Sequence, residues 1–312
     1  MTTILSKIIA RPPRRNYNDN DLKDEVTLSN GRSVTRHPVS FPNKKGLTIV
    51  GSYYQSPSSA PGNPCVIYLH GNASSQEEGS YLVYYLCPEG VNLLCIDTSG
   101  CGKSGGDYIT LGLYEREDVF SSMEYIRKEF GVGPIILWGR SMGAAISAWC
   151  ASDGYDITGI IVDSGYCSIK SIADDLCGNS WILWGLKTLL MPVVNWSVKR
   201  HYHFSIYDVD ILSNVKKAKC PALFVHCFHD TFINVREARE LYRSYGGKKY
   251  LLTTSGDHNS TRPKSVRITE LQFILNLFDI DKNDNFDISE ENELNDNSSR
   301  HFENAFEMLK NI

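Results

Sequence analysis

Hydrophobic positions along this chain change their pattern near Cys65. From there on, short unbroken apolar runs recur: Cys65 to Leu69, Leu93 to Ile96, Ile135 to Trp138, Gly159 to Val162, Ala222 to Val225 and Tyr250 to Leu252. Their length and lack of polar alternation predict strands buried on both faces, as in a parallel sheet covered by helices. Between the runs, Val119, Phe120, Met123, Ile126 and Phe130 trace one helical face, and Leu271, Ile274, Leu275 and Phe278 trace another. Upstream the pattern differs. Val26-Thr27-Leu28 and the run from Val34 flank Asn30-Gly31, the turn chemistry of a β-hairpin. A strand of mixed polarity follows over Gly46 to Tyr54, and Pro57 to Pro64 reads as a loop. Strand–helix alternation predicts a doubly wound, mostly parallel α/β sheet, with the early strands as an antiparallel N-terminal edge.

One interval breaks the rhythm. More than fifty residues separate Asp163 from Pro221, and they carry Trp181, Trp184 and Trp196. This is long for a simple crossover and is expected to be an inserted helical lid, about 168–216. Within it, positions 182, 186, 189 and 190 share a helical face expected to pack on the body. Trp181 and Trp184 share a neighbouring face and are candidate walls of an apolar substrate pocket. The organisation expected is an N-terminal extension (1–24), one domain (25–278) and an acidic tail (279–312). Asp279, Asp281, Asn283, Asn285, Asp287 and Glu290 have calcium-loop spacing, but Asp284 stands where the sharp turn wants Gly. A solvated tail is the expectation there.

Composition narrows the function. The 312 residues are 42% hydrophobic, enough for one large core, and the net charge of −4 carries no nucleic-acid footprint. The nine cysteines are scattered and none are at metal-ligand spacing, so no metal is expected and a reducing, cytoplasmic compartment is. The apolar part of MTTILSKIIARPPRR is too short for a signal peptide, and Gly185, Lys187 and Pro192 break the run Trp181 to Trp196, which argues against a membrane span.

The chemistry lies at strand ends. Gly139-Arg140-Ser141-Met142-Gly143 follows the run Ile135 to Trp138 and precedes an alanine-rich helix. In that setting G-x-S-x-G is a nucleophile elbow, with the serine on a sharp turn and glycines keeping side chains out of its way. Serine needs a base and an orienting acid, and in such elbows they follow in the order Ser, Asp, His. Asp230 ends the strand region Val225 to Asp230, and His258 sits on the loop after the next strand, so Ser141, Asp230 and His258 are the candidate triad. Asp257 is too close along the backbone to orient the ring of His258. His226 is expected to be packed within a strand, and His201 and His203 fall in the lid. The oxyanion donors expected are the N–H groups of Met142 and of Asn72, the latter after the strand Cys65 to Leu69, with Gly71 allowing close approach. His70 is expected to be structural. Gly100 to Gly106 contains G-x-G-K-S, but a phosphate loop needs four residues before its Gly-Lys pair, and here only Cys101 intervenes.

The strings Ile8 to Arg14, Tyr68 to Asn72, Trp138 to Ala144 and Gly256 to Pro263 resemble those of the α/β-hydrolase superfamily, specifically generally described serine hydrolases of plants and protists. The resemblance runs from the N-terminus to about Phe278. It implies an α/β-hydrolase fold, a serine hydrolase with an intact triad, and labels ranging from esterase, lipase and thioesterase to serine aminopeptidase; acyl transfer to water through such a triad is expected to need no cofactor. The chain also resembles membrane-associated protein depalmitoylases, without their cysteine-rich N-terminus. Ser141 argues against relatives that break carbon–halogen bonds or epoxides, which use Asp. The function expected is hydrolysis of an ester or thioester of a small-molecule or lipid-like acyl substrate, with peripheral membrane contact compatible with it. An aminopeptidase would need lid carboxylates to hold the substrate ammonium, with Asp174, Asp175, Asp208 and Asp210 available. A non-catalytic binding protein is a third reading, disfavoured by the complete triad.

Overall fold

A computed structural model of the chain describes residues 6–7, 9–177 and 180–281. Nine strands form one sheet: β1 (Glu25–Thr27), β2 (Ser33–Pro42), β3 (Thr48–Tyr54), β4 (Cys65–Leu69), β5 (Asn92–Asp97), β6 (Ile135–Arg140), β7 (Gly159–Asp163), β8 (Ala222–Cys227) and β9 (Lys249–Thr254). Their order is β1-β2-β3-β5-β4-β6-β7-β8-β9. The first three strands pair antiparallel with one another, and β3 pairs antiparallel with β5. All pairings from β5 across to β9 are parallel. The hairpin turn places Gly31 at φ +77°, a conformation that a side chain would oppose.

The unbroken apolar runs are explained by burial from two sides. Along β4, Cys65, Ile67 and Leu69 enter one core cluster, while Val66 and Tyr68 enter the other. Helices α1 (Glu115–Phe130) and α2 (Met142–Cys150) cover the first face, to which Val119, Phe120, Met123 and Ile126 contribute. The second face is covered by helical turns around Leu82 to Leu86 and by the C-terminal helix over Lys264–Leu277. Residues upstream of β1 also reach the body. Ala10 is fully buried and its carbonyl accepts from Ile109 N–H, and Tyr17 donates to Asp97 Oδ2 at 2.7 Å.

Between β7 and β8 lie α3 (Ile169–Cys177) and α4 (Trp181–Tyr202). Here one expectation fails. Ile182, Leu186 and Leu189 are exposed, and the residues of α4 that are buried are Val194, Asn195, Ser197, Val198 and Tyr202. The polar members of that stripe decide which face turns inward. Asn195 Oδ1 accepts from Ser205 Oγ–H and Ile206 N–H, both at 3.0 Å, and Ser197 Oγ–H donates to Ser6 Oγ at 3.0 Å. The last helices are α5 (Val235–Ser244) and α6 (Lys264–Leu277). No helix among the described residues is long and apolar enough to cross a membrane. The calcium-type spacing from Asp279 to Glu290 lies almost wholly outside the described residues.

Candidate active site

Ser141 stands between β6 and α2 at φ +54°, ψ −112°. A serine in that region is strained by about 1–3 kcal/mol, which the surrounding structure must hold. The flanking glycines show how. A Cβ on Gly139 would overlap the carbonyl of Gly143, and one on Gly143 would overlap the carbonyl of Leu69. Helix α2 therefore starts pressed against both its own strand and the end of β4. The Ser141 side chain caps no first-turn amide, so the positive end of α2 stays directed at the site. Ser141 N–H donates to the carbonyl of Asp163, at the end of β7, at 2.8 Å.

His258 lies beside Ser141, with Nε2 at 3.0 Å from Ser141 Oγ and Nδ1 at 2.7 Å from Asp230 Oδ2. A carboxylate only accepts, so Nδ1 carries the proton and Nε2 is left to accept from the serine hydroxyl. All three residues are buried. Asp230 Oδ1 accepts from the N–H groups of Phe232 at 2.9 Å and Ile233 at 2.7 Å. Burial alone would raise the Asp230 pKa. Hydrogen bonds from His226, His258 and the Ile233 N–H outweigh it and hold the carboxyl well below its usual range. Asp257 ties the two loops together instead of orienting the ring. Its carboxylate accepts from Thr231 N–H and from His258 N–H, both at 2.8 Å.

The strand-end loops meet here as well. Leu69 is the register partner of Gly139, so the chain leaving β4 runs beside the elbow. His70 donates from Nδ1 to the carbonyl of Gly71 at 2.7 Å, and its Nε2 accepts from Thr98 N–H at 3.1 Å. That pins the turn before Asn72, which is exposed, while Met142 opens α2 and is buried.

Sequence reasoning passed over two ion pairs. Glu78 accepts from Arg140 Nε at 2.7 Å and Nη2 at 3.0 Å, from Tyr68 Oη at 2.9 Å and from Gly71 N–H at 3.2 Å. The remaining Arg140 Nη1 donates to Asn259 Oδ1 at 3.1 Å. Burial opposes the charge on Glu78, but the Arg140 guanidinium holds its pKa down to about 2. The second pair joins Arg262 Nη2 to Asp163 Oδ1 at 2.7 Å and to Ser164 Oγ at 2.9 Å, with both charged residues buried. Arg140 and Arg262 stand inside the motif strings, and that was their available signal. Glu78 sits in a helical turn with no local pattern. His226 was expected to be a packed strand residue, and it is fully buried. It also donates from Nε2 to the Ile233 carbonyl at 2.8 Å and lies 3.4 Å from Asp230 Oδ2.

Trp181 and Trp184 do not join this cluster. Trp181 is 81% exposed and Trp184 41%, with the Lys187 ammonium 3.4 Å from the Trp184 ring centre. The expectation that they wall an acyl pocket is not met, because α4 buries its polar-anchored stripe and turns these rings outward. Among the described residues no group of three or more His, Cys, Asp and Glu side chains is arranged to hold a metal ion.

Comparison with known proteins accords with this arrangement. A sequence model described as serine aminopeptidase, S33, matches residues 61–210. A Pyrococcus furiosus esterase superposes with a TM-score of 0.62 at 21% identity, covering 86% of this chain and 97% of that one. The chain has the α/β-hydrolase fold. Another structure of this fold, acetyl xylan esterase 1 of a Thermoanaerobacterium species, gives a TM-score of 0.62 at 18% identity over 78% of this chain and 84% of that one. At these identities the likeness speaks for the fold. By sequence, the uncharacterized protein YqkD of Bacillus subtilis is 27% identical over 253 residues, 77% of this chain and 79% of its own length. Human ABHD12B is 26% identical over 66% of this chain and 54% of its own length. The lysophosphatidylserine lipase ABHD12 of Danio rerio is 23% identical over 58% of this chain and 47% of its own. The chain thus spans about half the length of both ABHD12-type relatives.

Proposed function

We propose that this chain is a serine hydrolase that cleaves an ester or thioester acyl bond through Ser141, His258 and Asp230. The observation that carries the reading is the unbroken hydrogen-bonded line from Ser141 Oγ through both ring nitrogens of His258 to a carboxylate kept ionised. Ser141 Oγ attacks the carbonyl carbon as His258 Nε2 takes its proton, and Asp230 stabilises the imidazolium. The N–H groups of Met142 and Asn72 receive the oxyanion. His258 then gives the proton to the departing alcohol or thiol oxygen or sulfur, leaving an acyl-serine. Water, deprotonated by the same nitrogen, attacks that acyl group, and the proton returns to Ser141 Oγ as the acid leaves. No step calls on a cofactor. The substrate class is small-molecule or lipid-like acyl compounds. We place the protein in the cytoplasm, since its nine thiols are scattered along the chain, several of them inside apolar runs, which suits a reducing compartment.

The matched family description favours a second reading, an aminopeptidase, which needs a carboxylate free to hold an ammonium group. Three of the four lid carboxylates named for that role are engaged and Asp208 is exposed to solvent: Asp174 pairs with Lys187, and Asp175 with Arg236 at 2.5 Å. Asp210 accepts from Ser213 N–H at 3.1 Å. Purified protein should react with a fluorophosphonate probe, and Ser141→Ala should not. It should hydrolyse p-nitrophenyl esters or acyl-CoA faster than aminoacyl anilides. Labelling that survives Ser141→Ala would overturn the nucleophile, and a preference for the anilides would overturn the ester reading.

A further inference from the structure

Helix α4 carries its most apolar stripe on the outside. Trp181, Ile182, Leu186, Leu189, Val193 and Trp196 follow one another around a single face, and their exposure runs from 42% at Val193 to 81% at Trp181. From the first to the last is about 22 Å of helix. The two indoles alone present on the order of 300 Å² of surface, already comparable to the largest apolar patch of a typical soluble monomer.

The charge around the stripe has one sign. Between Trp181 and Tyr202 there is no Asp or Glu, while Lys187, Lys199 and Arg200 are present in a chain whose net charge is −4. Lys187 is held by Asp174 on the inner side, and Lys199 and Arg200 are exposed at the C-terminal end. The segment against α4, joined to it by the Ser6–Ser197 hydrogen bond, adds exposed Lys7 and Arg11 and no acid between Ser6 and Arg15.

We propose that this face of α4 docks on an anionic phospholipid bilayer. The helix lies in the plane of the interface with Trp181, Leu189 and Trp196 among the upper acyl chains, and Lys199, Arg200, Lys7 and Arg11 meet the lipid phosphates. Indoles with a basic margin are the composition that suits an interfacial helix. A second copy of this chain fits the face less well. Helix–helix seams are flanked by charges of both signs, and here two copies would bring like charges together with no carboxylate on the helix to pair them. The proposal concerns binding alone and stands apart from the hydrolase reading.

The test uses the whole chain, sedimented with vesicles of phosphatidylcholine alone and of phosphatidylcholine mixed with phosphatidylserine. Binding should favour the mixed vesicles, weaken with salt and blue-shift tryptophan fluorescence. The triple variant Trp181→Ser, Leu189→Ser, Trp196→Ser should keep its circular dichroism spectrum and melting temperature, since these side chains are exposed, and lose binding at least tenfold. Lys199→Glu and Arg200→Glu should each weaken binding to mixed vesicles by about fivefold or more. Three outcomes overturn the proposal: no binding to either vesicle, binding that the triple variant retains, or equal affinity for both vesicle types. A dimer in sedimentation velocity that the triple variant converts to monomer also overturns it, by assigning the face to a second copy. Fluorophosphonate labelling of the triple variant, read separately, stays at the wild-type rate, so failure of docking and failure of the hydrolase reading give different results.

Discussion

Glu78 shows how one side chain outside the proposed triad bears on it. Its carboxylate holds Gly71 N–H, one residue before the proposed oxyanion donor, and Arg140, one residue before the proposed nucleophile. Arg140 in turn reaches Asn259, the neighbour of His258. Glu78→Gln keeps the shape but cannot engage the guanidinium as an ion. Turnover should fall by about tenfold or more with KM little changed, because the loss is one of alignment in the transition state. A variant with wild-type kcat would show that the pair only stabilises the fold. The same residue sets a pH effect. Its pKa is lowered on folding from 4.5 to about 2, so its stabilisation is fully present above the unfolded value and is lost as pH falls towards the folded one. The difference in stability between wild type and Glu78→Gln should therefore be on the order of 3 kcal/mol at neutral pH and shrink between pH 4.5 and about 2. Denaturant melts across that window measure it. At Ser141 itself, Ser141→Ala should abolish turnover, by up to about 10⁶-fold in a unit of this type. It should not destabilise the chain, because the residue keeps its N–H bond to Asp163.

Among the elements, α4 states the terms on which a helix chooses its buried face. By hydrophobicity, the stripe through Ile182, Leu186 and Leu189 should be inside. The helix instead buries Asn195 and Ser197, whose hydrogen bonds have partners only on the inner side. An unsatisfied buried amide costs about 1–3 kcal/mol, which is enough to compete with a leucine. Asn195→Ala should thus destabilise the protein by about 1–3 kcal/mol, whereas Leu189→Ala should change it by no more than about 0.5 kcal/mol. Thermal or urea denaturation separates the two, and the reverse ranking would place the helix the other way round. The elbow is the opposite case, an element legible from its residues. Gly139 and Gly143 are where the backbones of β6, α2 and β4 crowd one another, so the local string already contained the geometric requirement.

The molecule as a whole is a sheet whose functional loops all leave from one end. The loop after β9 must be held against β7 for His258 to meet Ser141, and the Arg262–Asp163 pair does this across 99 residues of sequence. Both charges are buried, so removing one leaves the other without a partner. Arg262→Ala should cost about 3–5 kcal/mol of stability and slow fluorophosphonate labelling. A variant that melts like wild type would show that the loop is held by other contacts.

The sequence alone determined the strands, their burial on both faces, the hairpin, the elbow and the order of Ser141, Asp230 and His258, because each is written in local residue type and spacing: a period of two or none, a Gly pair, a Ser before a helix. Its resemblance to hydrolase strings pointed to the same fold. Only the tertiary structure decided which groups meet across long separations. It joined Glu78 to Arg140 and Asp163 to Arg262, and it turned Trp181 and Trp184 outward. The physical reason is that a buried polar group must find its partner wherever the fold presents one, and no local pattern of hydrophobicity records where that will be.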